Sequence, residues 1–208
     1  RRLEESLAKG LMIGSLVLVL GVLAAIVLVI VLRGASSLSL SMLTSTPEGG
    51  YYLGKGGGIA NAIVGTLLLL GLSCLMAIPL GILTGIYLAE YGKGLMVRGV
   101  RFLADVMTGL PTVIMGMFIY SSLLIVSPGR VFSLLAGSLA LAVLMLPFVA
   151  RTTEESLRLV PNSLREAALA LGLPRFRVTG RVVLSSARDG VITGAILSMA
   201  RAGGETAP

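Results

Sequence analysis

The stretch GGGIANAIVGTLLLLGLSCLMAIPLGILTGIYLA, residues 56–89, holds 34 positions without an aspartate, glutamate, lysine or arginine. An ionised side chain at the bilayer centre costs about 2.5–3.5 kcal/mol on insertion scales, and about 20 apolar residues suffice to cross the hydrocarbon core as a helix. The run is therefore read as a membrane span, its surplus length taken up by Gly56, Gly57 and Gly58, which belong to the loop before it. On either side the same rule finds residues 10–32, 106–129 and 131–150, with 23, 24 and 20 charge-free positions, which makes four complete spans. Residues 190–200 add only 11 uncharged positions before Arg201 and Glu205, marking a fifth span that carries charge into the membrane. Composition agrees, with 55% of the 208 residues hydrophobic and 13% charged, against about 25% charged in soluble domains. The expected fold is all-α, a polytopic helical membrane protein forming one transmembrane domain over residues 1–208.

Basic residues set its direction, because lysine and arginine collect in cytoplasmic loops. Three lie before the first span (Arg1, Arg2, Lys9), three between the second and third (Lys93, Arg98, Arg101) and seven in residues 151–189. The other side holds Arg33, Lys55 and Arg130. This predicts a cytoplasmic tail at residues 1–9, four spans within residues 10–150, a cytoplasmic loop at 151–189 and an outward-running fifth span from residue 190, with a sixth expected beyond Pro208. It also accounts for the formal charge of +7 without nucleic acid as a partner. The first apolar run is too long for a signal-peptide core and has no small-x-small cleavage site. With no histidine and one cysteine, Cys74, the chain lacks the parts of histidine metal sites, of Ser-His-Asp and Cys-His nucleophile systems and of dithiol pairs. It is not read as an enzyme, and no cofactor or metal is expected on it.

Two helix-start signals follow one another in the cytoplasmic loop. Thr152-Thr153-Glu154-Glu155 and Ser163-Leu164-Arg165-Glu166 both have the hydroxyl-x-x-carboxylate form of a capping box, in which two side chains satisfy orphan amides at a helix N-terminus. From Ser163 the spacing predicts a short helix to about Leu171, closed by Gly172 in the left-handed conformation and by Pro174. Leu164, Ala167, Ala168 and Leu171 would share one face. A helix this short does not hold itself together in water. Its small Ala167-Ala168 face is therefore expected to lie on the ends of the spans, leaving Arg165, Glu166 and Leu169 to meet a partner. From spacing alone an equal alternative stands, an amphipathic surface helix touching anionic lipid through Arg175, Arg177 and Arg181.

At these residues the chain resembles a known family. Glu166-Ala167-Ala168 followed by Gly172 matches the core of the EAA motif of permease subunits in bacterial ABC importers. The stretch from Ala200 and Arg201 through Gly204-Glu205 to Thr206-Ala207-Pro208 is similar to one in phosphate-importer permeases, its ending closer to the PstA-type than to the PstC-type subunit. Ile78-Pro79-Leu80-Gly81, Tyr87-Leu88-Ala89-Glu90-Tyr91 and Gly109-Leu110-Pro111-Thr112 extend the likeness to PstA-type sequences from about Gly57 onward. The chain departs at Leu184-Ser185, where the general pattern has Leu-Pro, and at Arg188-Asp189, where the phosphate family has an apolar residue and proline. These changes bear on the backbone leading into the fifth span and on anion specificity.

The resemblance implies the MetI-like transmembrane fold of ABC importers in a bacterial inner (plasma) membrane. It implies a phosphate pathway shared with a PstC-type permease, energised by a dimer of PstB-type ATPase subunits that carry ATP and Mg, and supplied by a PstS-type phosphate-binding protein. Glu166, Ala167, Ala168, Leu169 and Gly172 would then belong to the coupling helix that sits in a groove of the ATPase. Two rivals remain: a permease of the same architecture for another oxyanion or small solute, and a signalling or scaffold membrane protein whose short helix binds a regulator.

Arg201 and Glu205, four apart, share a helix face and admit two readings. They neutralise one another and lock helices together, or Arg201 faces the pathway and offers its planar fork to a phosphate oxyanion while Glu205 tempers the hold. Glu90 and Asp105 are read as interfacial charges and assigned no site. Gly81-x-x-x-Gly85 and Gly190-x-x-x-Gly194 are read as packing positions. Pro79, Pro111 and Pro147 are kink positions, Pro111 being placed to break its helix beside the pathway. Residues 49–55 follow a phosphate-loop spacing through Lys55, but Gly56 replaces the magnesium-binding hydroxyl and no strand precedes them, so they are read as loop.

Overall fold

The computed structural model describes residues 2–47, 57–126 and 132–205, and every assigned element among them is helical. The phosphate-loop-like spacing and the closing Thr206-Ala207-Pro208 lie outside the described residues. The chain divides into two compact units, Arg1–Ile63 and Val64–Pro208. In the first, α1 (Arg2–Gly34) is one helix of 33 residues. The segment expected as a tail is helical from Arg2, with Lys9 and Glu5 paired at 2.8 Å one turn apart. The large apolar side chains of α1 from Leu7 to Leu32 are exposed, which suits lipid as solvent. A short α2 (Leu40–Thr44) follows, its N-terminus capped by Ser39 Oγ, which accepts from the Met42 amide at 3.2 Å. The Ile59 amide donates to Met42 O at 2.8 Å, closing the loop between α2 and the next helix.

That helix, α3 (Ala60–Ile86), continues through a π-helical turn at Tyr87–Tyr91. Next come α4 (Leu95–Gly109) and α5 (Thr112–Val126), bent by 111° at the break between them. The single span expected at 106–129 is thus corrected to a broken one. Leu110, immediately before Pro111, is forced out of helical geometry to φ −76°, ψ 142° by the proline ring. With 15 residues, α5 reaches about 22 Å, short of a hydrocarbon core of about 30 Å.

The helix α6 (Leu134–Arg158) starts at Ser133, whose hydroxyl accepts from the Ala136 amide at 3.2 Å. It runs eight residues past the expected end of the fourth span, to Arg158. The capping box expected at Thr152 is therefore absent. Thr152 lies inside α6, and its hydroxyl donates to Phe148 O at 3.0 Å instead of capping a new helix. The charges there do not end the helix, because Arg151 pairs with Glu155 at 3.0 Å and Glu154 with Arg158 at 2.6 Å along it.

After α7 (Asn162–Ala170), α8 (Arg175–Arg177), a second π-helical turn (Val178–Val183) and α9 (Leu184–Gly203) run on as one helix of 29 residues, Arg175–Gly203. The fifth span thus begins 15 residues before the expected Gly190, within the segment read as loop. Its first turns carry Arg175, Arg177 and Arg181 at exposed positions, where long cationic side chains need not enter lipid. Four helices among the described residues are long and apolar enough to span a membrane, or five with the bent pair, which is the number of spans expected.

The long helix α6 is the centre of the second unit. Gly81 and Gly85 let α3 approach one side: a Cβ on Gly81 would lie 2.7 Å from Val149 Cβ, and one on Gly85 2.6 Å from Thr153 Cβ. Gly190 and Gly194 do the same for α9, where added Cβ atoms would meet Ser156 Oγ at 2.5 Å and Thr152 Cβ at 2.7 Å. Both small-residue pairs thus serve as packing sites, as expected. Residue order along these contacts makes α3 parallel and α9 antiparallel to α6. Buried Ser73 adds an interhelical bond in apolar surroundings, its hydroxyl donating to Ser138 O at 3.0 Å. Leu157, Ala168, Val178, Val183, Ala187 and Val191 close a core where α6, α7 and the Arg175–Gly203 helix meet.

Candidate functional site

The short rod α7 is set by its ends. The Ser163 capping box is not formed: the N-cap is Pro161, two residues before Ser163, and it makes no side-chain cap bond. Proline fits there because its φ is already near −60° and it has no amide to leave unpaired. At the other end Gly172 takes φ +79°, the left-handed conformation expected of it. Its amide donates to Leu169 O at 2.9 Å and that of Leu173 to Ala168 O at 3.4 Å, the two bonds of a Schellman stop, with Leu173 packed beneath.

Of the apolar face expected from spacing, Ala168 alone is buried; Leu164, Ala167 and Leu171 are exposed. The inward side carries a charge instead. Arg165, expected to face a partner, turns under the rod and is 18% exposed. Its guanidinium donates to Leu157 O at 2.7 Å, to Val160 O, to Asn162 Oδ1 at 3.3 Å and to Glu90 Oε1 at 2.8 and 3.2 Å. Leu157 O already accepts from the Val160 amide at 3.2 Å where α6 ends and takes Arg165 as a further donor, and an arginine with five donors serves several such acceptors at once. Glu166, Ala167, Leu169 and Gly172 remain exposed, and Leu169 borders a groove of about 240 Å³ with Lys93, Arg165, Arg175 and Thr179.

Glu90 is the residue the sequence reading missed. It is 13% exposed and paired, not an interfacial charge in solvent. A second missed carboxylate, Glu154, is 1% exposed and accepts from Arg101 Nε at 2.7 Å, with Arg158 at 2.6 Å and Arg151 at 3.7 Å. Arg151 and Arg158 stand three residues before and four after Glu154, one helix face that was legible had residues 151–158 been taken as part of α6. Arg101 comes from α4, and no local pattern announces it. Asp105 is exposed and 3.9 Å from Arg151, in line with an interfacial charge.

Arg201 and Glu205 are brought together at the far end of α9, about 27 Å of helical rise beyond Val183, beside the α7 core. Arg201 Nε lies 3.9 Å from Glu205 Oε1, a loose pair in which the Arg201 side chain is 49% exposed and that of Glu205 17%. Leu144, Met145 and Phe148 of α6 cover the carboxylate side. Beneath them Ser198 Oγ is buried without a hydrogen-bond partner among the described residues. The space left is about 10 Å³, at the lower limit for one water. The pair therefore encloses no solute in this conformation, and the open face of Arg201 is the accessible one. Arg201 and the α7 residues do not form one site; they stand at opposite ends of a helix. The departures Ser185, Arg188 and Asp189 lie on exposed turns of α9, where Arg188 Nε and Asp189 Oδ1 are 3.3 Å apart.

A helical membrane body bearing an exposed rod, capped and tied to the helix ends, has counterparts. The profile of the family described as binding-protein-dependent transport system inner membrane component matches residues 77–208. The chain belongs to this family. As a member of that family with several apolar helices it is a multi-pass membrane protein, and its relatives are PstA-type permeases. The Pasteurella multocida (strain Pm70) phosphate transport system permease protein PstA is 44% identical over 184 residues, 88% of this chain and 64% of that protein. The PstA of Haemophilus influenzae is 40% identical over 210 residues, covering 100% of this chain and 72% of the relative. PstA 1 of Mycobacterium tuberculosis (strain H37Rv) is 40% identical over 209 residues, 100% of this chain and 68% of its own length. The chain thus spans about 59–72% of the length of these curated relatives and that of Yersinia pestis. Among solved structures, a chain of the MetNI methionine ABC transporter in an inward-facing conformation superposes with a TM-score of 0.65 at 23% identity over 70% of each chain. The MetI-like fold expected from the resemblance is borne out.

Proposed function

We propose that this inner membrane component is the PstA-type subunit of an ATP-driven importer that carries inorganic phosphate inward across the bacterial inner membrane, with its N-terminus in the cytoplasm. The observation that carries the reading is 40% identity across all of this chain to phosphate transport system permease proteins from two distant bacteria. A PstC-type permease completes the pathway, a PstB-type ATPase dimer binds ATP and Mg, and a PstS-type protein delivers phosphate. The chain itself is noncatalytic.

Two features support this division of labour. Glu166, Ala167, Leu169 and Gly172 are accessible on a rod whose core side, at Ala168, is already packed, leaving an outer side free for an ATPase groove. The Arg201 side chain is 49% exposed while Glu205 stands 3.9 Å away. A planar guanidinium offers paired donors to an oxyanion, and a neighbouring carboxylate keeps that hold weak enough for release.

Reconstituted in vesicles with its three companions, the full-length protein takes up radiolabelled phosphate only while ATP is hydrolysed, and excess sulfate does not compete. Arg201→Ala lowers that uptake about tenfold or more, the equivalent of one charge-assisted hydrogen bond. Normal uptake by an Arg201→Ala complex of normal abundance would leave Arg201 only its structural role beside Glu205. Competition by sulfate would move the assignment to a broader oxyanion permease.

A further inference from the structure

The two π-helical turns lie against one another. Tyr91, in the turn ending α3, donates its phenolic hydrogen bond to or accepts one from Thr179 Oγ1 at 3.2 Å, in the turn opening the Arg175–Gly203 helix. The Tyr87–Tyr91 turn is also held from two other sides. Arg101 of α4 donates to Leu88 O at 2.9 Å, and Arg165 of α7 holds the Glu90 carboxylate. A π-helical turn widens the backbone ring and loosens the helical ladder, and such turns concentrate at functional places. Here one such turn is where α3, α4, α7 and the fifth-span helix all meet.

Among the described residues, Arg165–Glu90 is the one ion pair joining α7 to a spanning helix other than the helix it follows. Ala168 apart, the rod has little buried surface with which to drag its neighbours. We infer that Glu90 and Arg165 form a latch: the pair positions the rod on the π-turn and transmits its displacement to α3, and through Arg101 to α4. The inference rests on the proposed function, since it assigns the means by which the rod's motion reaches the pathway. Glu90 is a positioning residue, touching neither phosphate nor ATP. Charge-assisted, nearly buried bonds are suited to the task because they resist being pulled apart, whereas apolar side chains slide.

The test uses the complete reconstituted transporter and reads phosphate imported per ATP hydrolysed, alongside co-purification of the ATPase. Glu90→Gln leaves every carbonyl bond of Arg165 in place and removes the ionic one. It is expected to retain the ATPase and its basal turnover within about twofold, while phosphate imported per ATP falls about tenfold, within the range of measured site-to-site couplings. Arg165→Gln is expected to give a similar fall, and Glu90→Gln with Arg165→Gln no more than the larger single effect, since both remove one interaction. Should Arg165→Gln fail to assemble, Glu90→Gln decides alone. Glu90→Gln with an unchanged ratio, a double variant whose losses multiply, or a Glu90→Gln protein that no longer retains the ATPase would each overturn the latch while leaving the permease reading intact. An unsubstituted complex that imports no phosphate on ATP hydrolysis overturns the permease reading, and the latch with it.

Discussion

At the scale of single residues, the charges near the ends of the spans divide into those that face water and those that hold helices together. Glu154 belongs to the second kind. Its carboxylate is 1% exposed and takes Arg101 Nε at 2.7 Å from α4 and Arg158 at 2.6 Å from its own helix. Removing one member of such a pair strands the others away from water, which costs about 3 kcal/mol at the lower end of the usual range, because Arg158 retains solvent. Glu154→Ala is therefore expected to lower the unfolding free energy in detergent by about 3 kcal/mol, and a loss below about 1 kcal/mol would mark the cluster as an open surface pair. Gly172 acts through its backbone instead. Its φ of +79° suits glycine and strains other side chains, so Gly172→Ala should cost about 1–2 kcal/mol locally. Hydrogen exchange at the amides of Gly172 and Leu173 reports it, faster exchange being the expected result.

At the scale of elements, α6 is gripped between two glycine pairs, one from α3 and one from α9. A larger side chain at Gly85 would press on Thr153 and on the Ala150 carbonyl, neither of which can move without shifting α6 itself. Gly85→Leu is expected to destabilise by about 1–3 kcal/mol in thermal unfolding, or more where α3 is pushed off altogether. Gly71, on the same helix, has open space where its Cβ would be, so Gly71→Ala should stay within about 0.5 kcal/mol of the parent. Equal effects at the two sites would contradict the packing described. The same scale explains why span boundaries were misjudged. Charge-free length locates where a helix is lipid-compatible but not where it ends, and α6 and the Arg175–Gly203 helix both extend into charged sequence. The proline at Pro111 does end a helix, since its effect on Leu110 is local and needs no tertiary partner.

At the scale of the whole molecule, parallel α3 and α6 with antiparallel α9 agree with alternating passage through a bilayer. In the orientation proposed above, the basic loops lie on the inner side. Leu171 and Phe132 are both exposed at opposite ends of that arrangement, after α7 and before α6. With Cys74 replaced by serine, Phe132→Cys should react with an impermeant maleimide in spheroplasts, and Leu171→Cys only in inverted vesicles. The reverse pattern would invert the orientation.

Sequence alone determined the membrane class, the approximate spans, the break at Pro111 and the left-handed stop at Gly172. Each depends on hydrophobicity or backbone sterics within a few neighbouring residues. Tertiary structure decided which charges are buried and paired. Glu90 meets Arg165 across 75 positions and Arg101 meets Glu154 across 53, separations at which no local periodicity acts. A carboxylate is held in a protein interior only by the cations the fold brings to it, so the inward turn of Arg165 could be known only once α3, α6 and α7 were in place.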